Sequence, residues 1–261
     1  MEILFKKTTK SGNASAVVLP KAWLDKRVKI ELIDKTPEII LYDVLNIIQS
    51  SINLSEIIGI YIVGSNARKE QTSSSDIDIL VITENTNKEI IKKETYEIII
   101  VSLDLLNYKL KENLFPVGTM LKEAQPLLNN NFLKKIKIKV TKKNVKWYLE
   151  TTKDRLKIIK SSIDTIEKNK PNGKLSDAIA YSLILRLRTL YMIDCLKNND
   201  NYKKNEFIKL TKRISGSLIA YNRYVYAKNN KENKRELPLN EGKKLYSYLE
   251  EYLQKITNSV K

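Results

Sequence analysis

The sequence predicts a small α/β domain in the middle of the chain, with a short β-hairpin module before it and an all-α bundle after it. Three observations carry this. Helix-like and strand-like runs alternate between residues 36 and 140, which is the pattern of an α/β layer. Val145, Leu149, Thr152, Leu156, Ile159, Ile163 and Ile166 then recur at 4-3 spacing, one apolar stripe of a long helix. Charge divides along the same lines, with net +4 over residues 1–35, −1 over 36–140 and +14 over 141–261.

Taken in order, Ala16–Leu19 and Val28–Ile33 are short β-rich runs, with a turn at Ser11–Asn13 before the first and a turn-and-helix at Pro20–Asp25 between them. About 35 residues cannot bury both faces of such strands, so this piece needs a partner. Thr36 and Pro37 are a helix cap and first-turn proline, and the helix they open runs to about Gln49 with Ile39, Ile40, Val44 and Ile47 or Ile48 inward. Ile57–Val63, Asp76–Ile82 and Tyr96–Ser102 are strands, and Asn85–Lys93 is expected to be a helix. After residue 140 the stripe helix ends at Asn169–Gly173. Ser176 caps a second helix to about Leu196, and Glu206–Tyr226 and Glu241–Ile256 are two more. The expected boundaries are therefore 1–35, 36–140 and 141–261.

The 261 residues carry 47 Lys and Arg against 30 Asp and Glu, a net charge of +17 that favours polyanionic partners. The chain has no histidine and one cysteine, which excludes a Ser-His-Asp triad, a histidine-ligated zinc and an intrachain disulfide. Acid–base and metal chemistry must use carboxylates, Lys or Tyr. The start lacks the apolar core of a signal peptide, and the Ile57–Val63 run is far short of a membrane helix, so a cytosolic protein is expected.

Chemistry concentrates between Gly64 and Asp78. Asp76 and Asp78 lie two apart on a strand, so both carboxylates leave the same face. Like charges held close are costly unless a cation lies between them, and the hard cation that suits oxygen ligands and nucleotide phosphates is Mg²⁺ or Mn²⁺. Gly64 and Ser65 end the preceding strand where backbone N–H groups and a hydroxyl can approach a phosphate, with Arg68 nearby to add positive charge. A further carboxylate is needed to complete such a site. Glu97, a charge in a strand of Ile and Val, is the candidate. Asp104, at the strand end, suits a helix cap instead.

Gly64–Ser65, Ala67–Arg68 and the Asp76–Asp78 pair at this spacing resemble the nucleotidyltransferase fold of the DNA polymerase β superfamily, and within it the minimal nucleotidyltransferases (MNT). The resemblance covers about residues 37–110. It implies a mixed sheet with helices, Asp76, Asp78 and Glu97 as catalytic metal ligands, and Gly64, Ser65 and Arg68 as the nucleotide-binding turn. It further implies transfer of a nucleoside monophosphate, commonly AMP from ATP, with release of pyrophosphate. Lys69 stands where the family usually has Gly, and Glu97 where Asp is more common.

Residues 3–33 resemble the AbrB-type swapped-hairpin family, in which two chains interleave and many members bind DNA. That implies a homodimer, with Lys6, Lys7, Lys10, Lys21, Lys26, Arg27 and Lys29 facing DNA. The alternative is a dimerisation hairpin whose lysines only keep it soluble. The helical part is similar to HEPN domains and to the C-terminal domain of kanamycin nucleotidyltransferase, although without His the HEPN ribonuclease chemistry is not available. Ser182–Arg188 and Tyr221–Lys228 combine cations with aromatic rings that either hold RNA or nucleotide phosphate or pack the bundle. Two functions are therefore expected. One is Mg²⁺-dependent transfer to a protein or RNA acceptor, as in a toxin–antitoxin pair. The other is a dimeric DNA-binding regulator with an inactive fold. A net charge of +14 on the acceptor side disfavours a polycationic drug as substrate.

Overall fold

In this computed structural model the described residues are 4, 6, 8–31, 35–72, 75–170, 173–228 and 236–260. The chain begins with a two-stranded hairpin, β1 (Thr9–Ser11) and β2 (Ala14–Ala16), turned at Gly12. Residues 28–31 are not a strand, and the rest of the expected Val28–Ile33 run lies outside the described residues, as does Lys7. The expected strand over 16–19 is shifted toward the turn, because the ladder pairs Thr9 with Ala16 and ends there.

Helix α1 (Pro37–Ile48) starts as its sequence dictates, with the Thr36 hydroxyl accepting the Ile39 N–H. It buries Ile40, Val44, Ile47 and Ile48, while Ile39 is exposed rather than inward because it lies off that stripe. There follow β3 (Ile57–Val63), the single turn α2 (Gly64–Ala67), β4 (Ile77–Thr83), β5 (Lys88–Lys93) and β6 (Tyr96–Ser102). The helix expected over 85–93 is therefore an edge strand. Its Lys and Glu residues favour helix locally, but a two-residue turn at Glu94–Thr95 folds it back antiparallel onto β6, and sheet pairing overrides propensity.

Helices α3 (Leu103–Glu112) and α4 (Val117–Glu123), strand β7 (Gln125–Leu128) and helix α5 (Asn130–Lys135) complete this layer. The sheet order is β5-β6-β4-β3-β7, with only β4 and β6 parallel. Alternation sorts the strands: Ile77, Ile79, Val81, Tyr96, Ile98 and Ile100 face α1, whereas Leu80, Ile82 and Val101 pack with Leu106, Val117 and Leu121 of α3 and α4.

The remainder is helical: α6 (Lys142–Asn169), α7 (Asp177–Lys197), α8 (Lys204–Ser215), α9 (Ile219–Lys228) and α10 (Leu239–Ser259), with the short pair β8 (Lys174–Leu175) and β9 (Leu237–Pro238). The α6 stripe is the buried one: Val145, Leu149, Thr152, Leu156, Ile159 and Ile163 all face the bundle core. The single helix expected over 206–226 is two, because Gly216 at φ +92° caps α8 in the left-handed conformation. Among the described residues no helix is long and apolar enough to cross a membrane.

Candidate active site

The register of the sheet sets two of the acidic residues, Asp78 and Glu97, side by side. In the parallel pair, Asp78 stands opposite Glu97, Leu80 opposite Ile99 and Ile82 opposite Val101. One face of β4 and β6 is therefore apolar toward their C-terminal ends and acidic at their start. Asp76 precedes β4 by one residue and is exposed, and its backbone carbonyl accepts a hydrogen bond from Asn66 Nδ2 at 2.7 Å. In the antiparallel pair, Val63 stands opposite Asp78, which sets Gly64 directly against that carboxylate.

Gly64 has φ +70°, and a Cβ there would lie 2.0 Å from Asp78 Oδ2. No other L residue fits without moving the carboxylate, so glycine at this turn is a requirement of both backbone and site. Burial pushes the Asp78 carboxyl up to about 6, and the nearby charges of Glu97, Asp76 and Glu123 push it the same way. Its proximity to Glu97 and Asp76 thus appears in its electrostatics as well as in the register.

The structure adds a residue that the sequence reading did not reach. Glu123, at the end of α4, accepts the Gly64 N–H at 2.7 Å through Oε1 and an Arg68 Nη1–H at 2.5 Å through Oε2. Arg68 Nε donates to Glu70 Oε2 at 2.8 Å, and Glu70 Oε1 accepts the Lys204 N–H at 2.8 Å from the first residue of α8. All three side chains are largely buried. Burial raises the Glu123 carboxyl against the opposing pull of Arg68. In Arg68 burial acts against the charge, yet the bonds from Glu70 and Glu123 hold its pKa above the ordinary value. Arg68 is consequently a clamp on the turn, its charge already matched by two carboxylates. No local pattern announces Glu123, because its partners are 55 and 59 residues away in sequence.

The helical part reaches the same place. Tyr202 lies between two guanidiniums, with Arg68 and Arg188 each 5.3 Å from its ring centroid. Arg188 Nη1 also donates to the Tyr224 hydroxyl at 3.5 Å. Of the aromatic stretch 221–228, Tyr221 and Tyr224 pack against each other and their neighbours, with Tyr224 stacked on Tyr181 at 5.3 Å. Arg223 and Tyr224 are buried, so the middle of that stretch is core, while Asn222, Tyr226 and Lys228 are exposed.

A divalent cation is tested here by the donor set. Asp76, Asp78 and Glu97 supply only hard carboxylate oxygens, and Asp78 is held among like charges that a cation would relieve, so the chemistry fits. The cage is not preassembled: among the described residues no three ligand-type side chains converge as a finished metal site. The Glu97 carboxylate instead rests 3.3 Å from Lys92 Nζ on the edge strand.

Comparison with known proteins bears on this geometry. Residues 43–171, slightly under half of the chain, match the family model of the nucleotidyltransferase domain. The matched stretch contains the Gly64 turn, all three carboxylates, Glu123 and the whole of α6. No curated protein matches the chain. Among solved structures, a nucleotidyltransferase-like protein from Exiguobacterium sibiricum 255-15 is similar at 14% identity and a TM-score of 0.36, over 83% of this chain and 75% of that one. Over residues 43–171 the chain is similar to the nucleotidyltransferase domain, a match that supports a nucleotidyltransferase enzyme, and domains of that family generally use a nucleoside triphosphate and a divalent metal ion.

Proposed function

We propose that the chain transfers a nucleoside monophosphate, AMP from ATP, to an acceptor hydroxyl on a protein or RNA. The observation that carries this reading is the pairing of Asp78 with Glu97 in register, with Asp76 two residues before and the Gly64 turn alongside. Asp76 and Asp78 would hold Mg²⁺ or Mn²⁺, with Glu97 completing the set once Lys92 releases it. When bound, such an ion withdraws charge from the phosphates and from the attacking oxygen. Ser65, at the opening of α2, offers its hydroxyl and N–H to the triphosphate. Gly64 lets the backbone come close, and Arg68 fixes the turn through Glu123. The acceptor oxygen bonds to the α-phosphorus, the bond to the bridging oxygen breaks, and pyrophosphate leaves. The acceptor proton passes to a Glu97 carboxylate oxygen. In a toxin–antitoxin pair, a transfer of this kind would modify the partner.

The test is incubation with α-³²P-ATP and Mg²⁺. Label is expected on a macromolecule in the presence of wild-type protein and none with Asp76→Asn. Equal labelling by both would remove Asp76 from the mechanism, and no labelling from any of the four NTPs would favour a binding role.

We also propose that residues 1–35 join two chains. Val18, Leu24 and Ile30 are 67, 72 and 68% exposed, an apolar set that none of the described residues covers. Exposed Lys10, Lys21, Lys26 and Arg27 on the same segment leave it suited to the DNA backbone once paired. Light scattering should give a dimer for the full chain and a monomer after deletion of residues 1–35. An unchanged mass would refute this assignment.

A further inference from the structure

A second cluster of cations lies in the helical part, away from the carboxylates. A groove of about 400 Å³ opens there, with Arg155 of α6, Tyr181, Ser182 and Arg186 of α7 and Ala227 of α9 in its wall. Arg186 donates from Nη1 to Thr151 Oγ1 at 3.2 Å, and that hydroxyl donates onward to the Trp147 carbonyl at 2.8 Å. Arg186 Nε is buried and has no acceptor among the described residues. Burial, and then the charge of Arg155, both push the Arg186 pKa down. Two guanidiniums therefore face one space, whose wall among the described residues holds one acid, Asp177.

That acid does not answer this. Asp177 is already ion-paired with Arg223, which is 3% exposed and itself has Nε and Nη1 without acceptors among the described residues. Buried donors without partners and adjacent like charges both cost stability, so the arrangement gains nothing for the bundle by itself. An anion in the groove would relieve the repulsion between Arg155 and Arg186.

The surroundings select the kind of anion. Paired guanidinium forks match phosphate oxygens. Trp147, Thr151 and Arg155 recur at four-residue spacing along one face of α6, and Trp147 is 61% exposed. Tyr226, one residue before Ala227, is 40% exposed. Cations with open aromatic faces beside them are the arrangement that holds a single strand, the phosphates by charge and the bases by stacking. We propose that this groove binds a backbone phosphate of a single-stranded nucleic acid, with Arg155 and Arg186 as its ligands and Trp147 as a stacking face. The site is separate from the carboxylates, and its occupancy does not depend on the transfer reaction.

The test uses the full chain and a fluorescein-labelled single-stranded RNA of about 12 nucleotides, a length within the site sizes such grooves cover, followed by anisotropy across a salt series. Arg155→Gln/Arg186→Gln is expected to bind about tenfold more weakly or worse and to flatten the log–log salt slope by about 1–2. Lys134→Gln/Lys135→Gln on α5 removes the same charge from an exposed surface elsewhere and is expected to change affinity by about twofold or less. Trp147→Ala, at an exposed position, keeps the test open if the arginine variant fails to fold. It is expected to weaken binding by several-fold. Equal losses in the arginine and lysine variants would overturn the groove as the site. Displacement of the RNA by polyglutamate at equal charge would overturn nucleic acid as its ligand.

Discussion

Replacement of Asp78 by Asn is expected to reduce nucleotidyl transfer by about 10³-fold while raising the melting temperature of the metal-free protein. The two effects share one cause. Burial and the neighbouring acids lift the Asp78 carboxyl to about 6 in the folded chain, against an ordinary value of 3.8. A carboxyl whose folded pKa is raised contributes stability that is complete below its unfolded value and lost as pH rises through the folded one. At neutral pH the charged group therefore opposes folding, by about 1–3 kcal/mol. Asn has the same shape without the charge. In a chelator at pH 7.5 the variant should melt a few degrees above wild type, and the gap should close as the pH is lowered toward 4. A residue present for stability would give the opposite pair of results. A variant that melts lower than wild type in chelator would show that Asp78 is held by contacts other than those described.

Arg68→Ala is expected to be the most destabilising single change near the site, at about 3–5 kcal/mol, or about 10 °C in melting temperature. Arg68 is matched by Glu70 and Glu123, all three largely buried, and the removal of the guanidinium leaves two carboxylates in low dielectric without their hydrogen-bonded cation. It also frees Glu123 from one side while Gly64 still holds the other, and removes one of the two cations that enclose Tyr202. Adding Glu123→Gln to Arg68→Ala should recover part of the loss, because one stranded charge is then gone. Lys157→Ala, whose exposed pairing with Asp154 is of the ordinary surface kind, should change stability by less than about 0.5 kcal/mol. Circular-dichroism melts of the three variants compare these directly.

Much of the architecture was readable before the coordinates because it depends on local rules. Thr36 and Pro37 start α1, the 4-3 stripe is the buried face of α6, and the apolar runs 57–63, 77–82 and 96–102 are the three central strands. Errors fell where a distant partner decides. Residues 88–93 have helical composition and become a strand because β6 offers an edge. The break at Gly216 is hidden in the sequence because apolar periodicity continues on both sides of it.

The candidate site divides in the same way. Gly64, Asp76 and Asp78 announce themselves by spacing. Glu97 did so by being a charge among Ile and Val, and the parallel register then sets it beside Asp78. Glu123 and Tyr202 give no local signal, since each meets the turn only through tertiary packing. The same packing changes the meaning of Arg68. As sequence it is a free cation near a phosphate turn, and in the fold it is held between two carboxylates.

Calorimetry with a non-hydrolysable α,β-methylene ATP tests the central claim most directly, because it reads the carboxylates' hold on metal and nucleotide without an acceptor. The account predicts heat of binding with Mg²⁺ or Mn²⁺, and its loss both in a chelator and in the Asp76→Asn/Asp78→Asn variant. Undiminished binding in the chelator, or by the double variant with metal present, would contradict it.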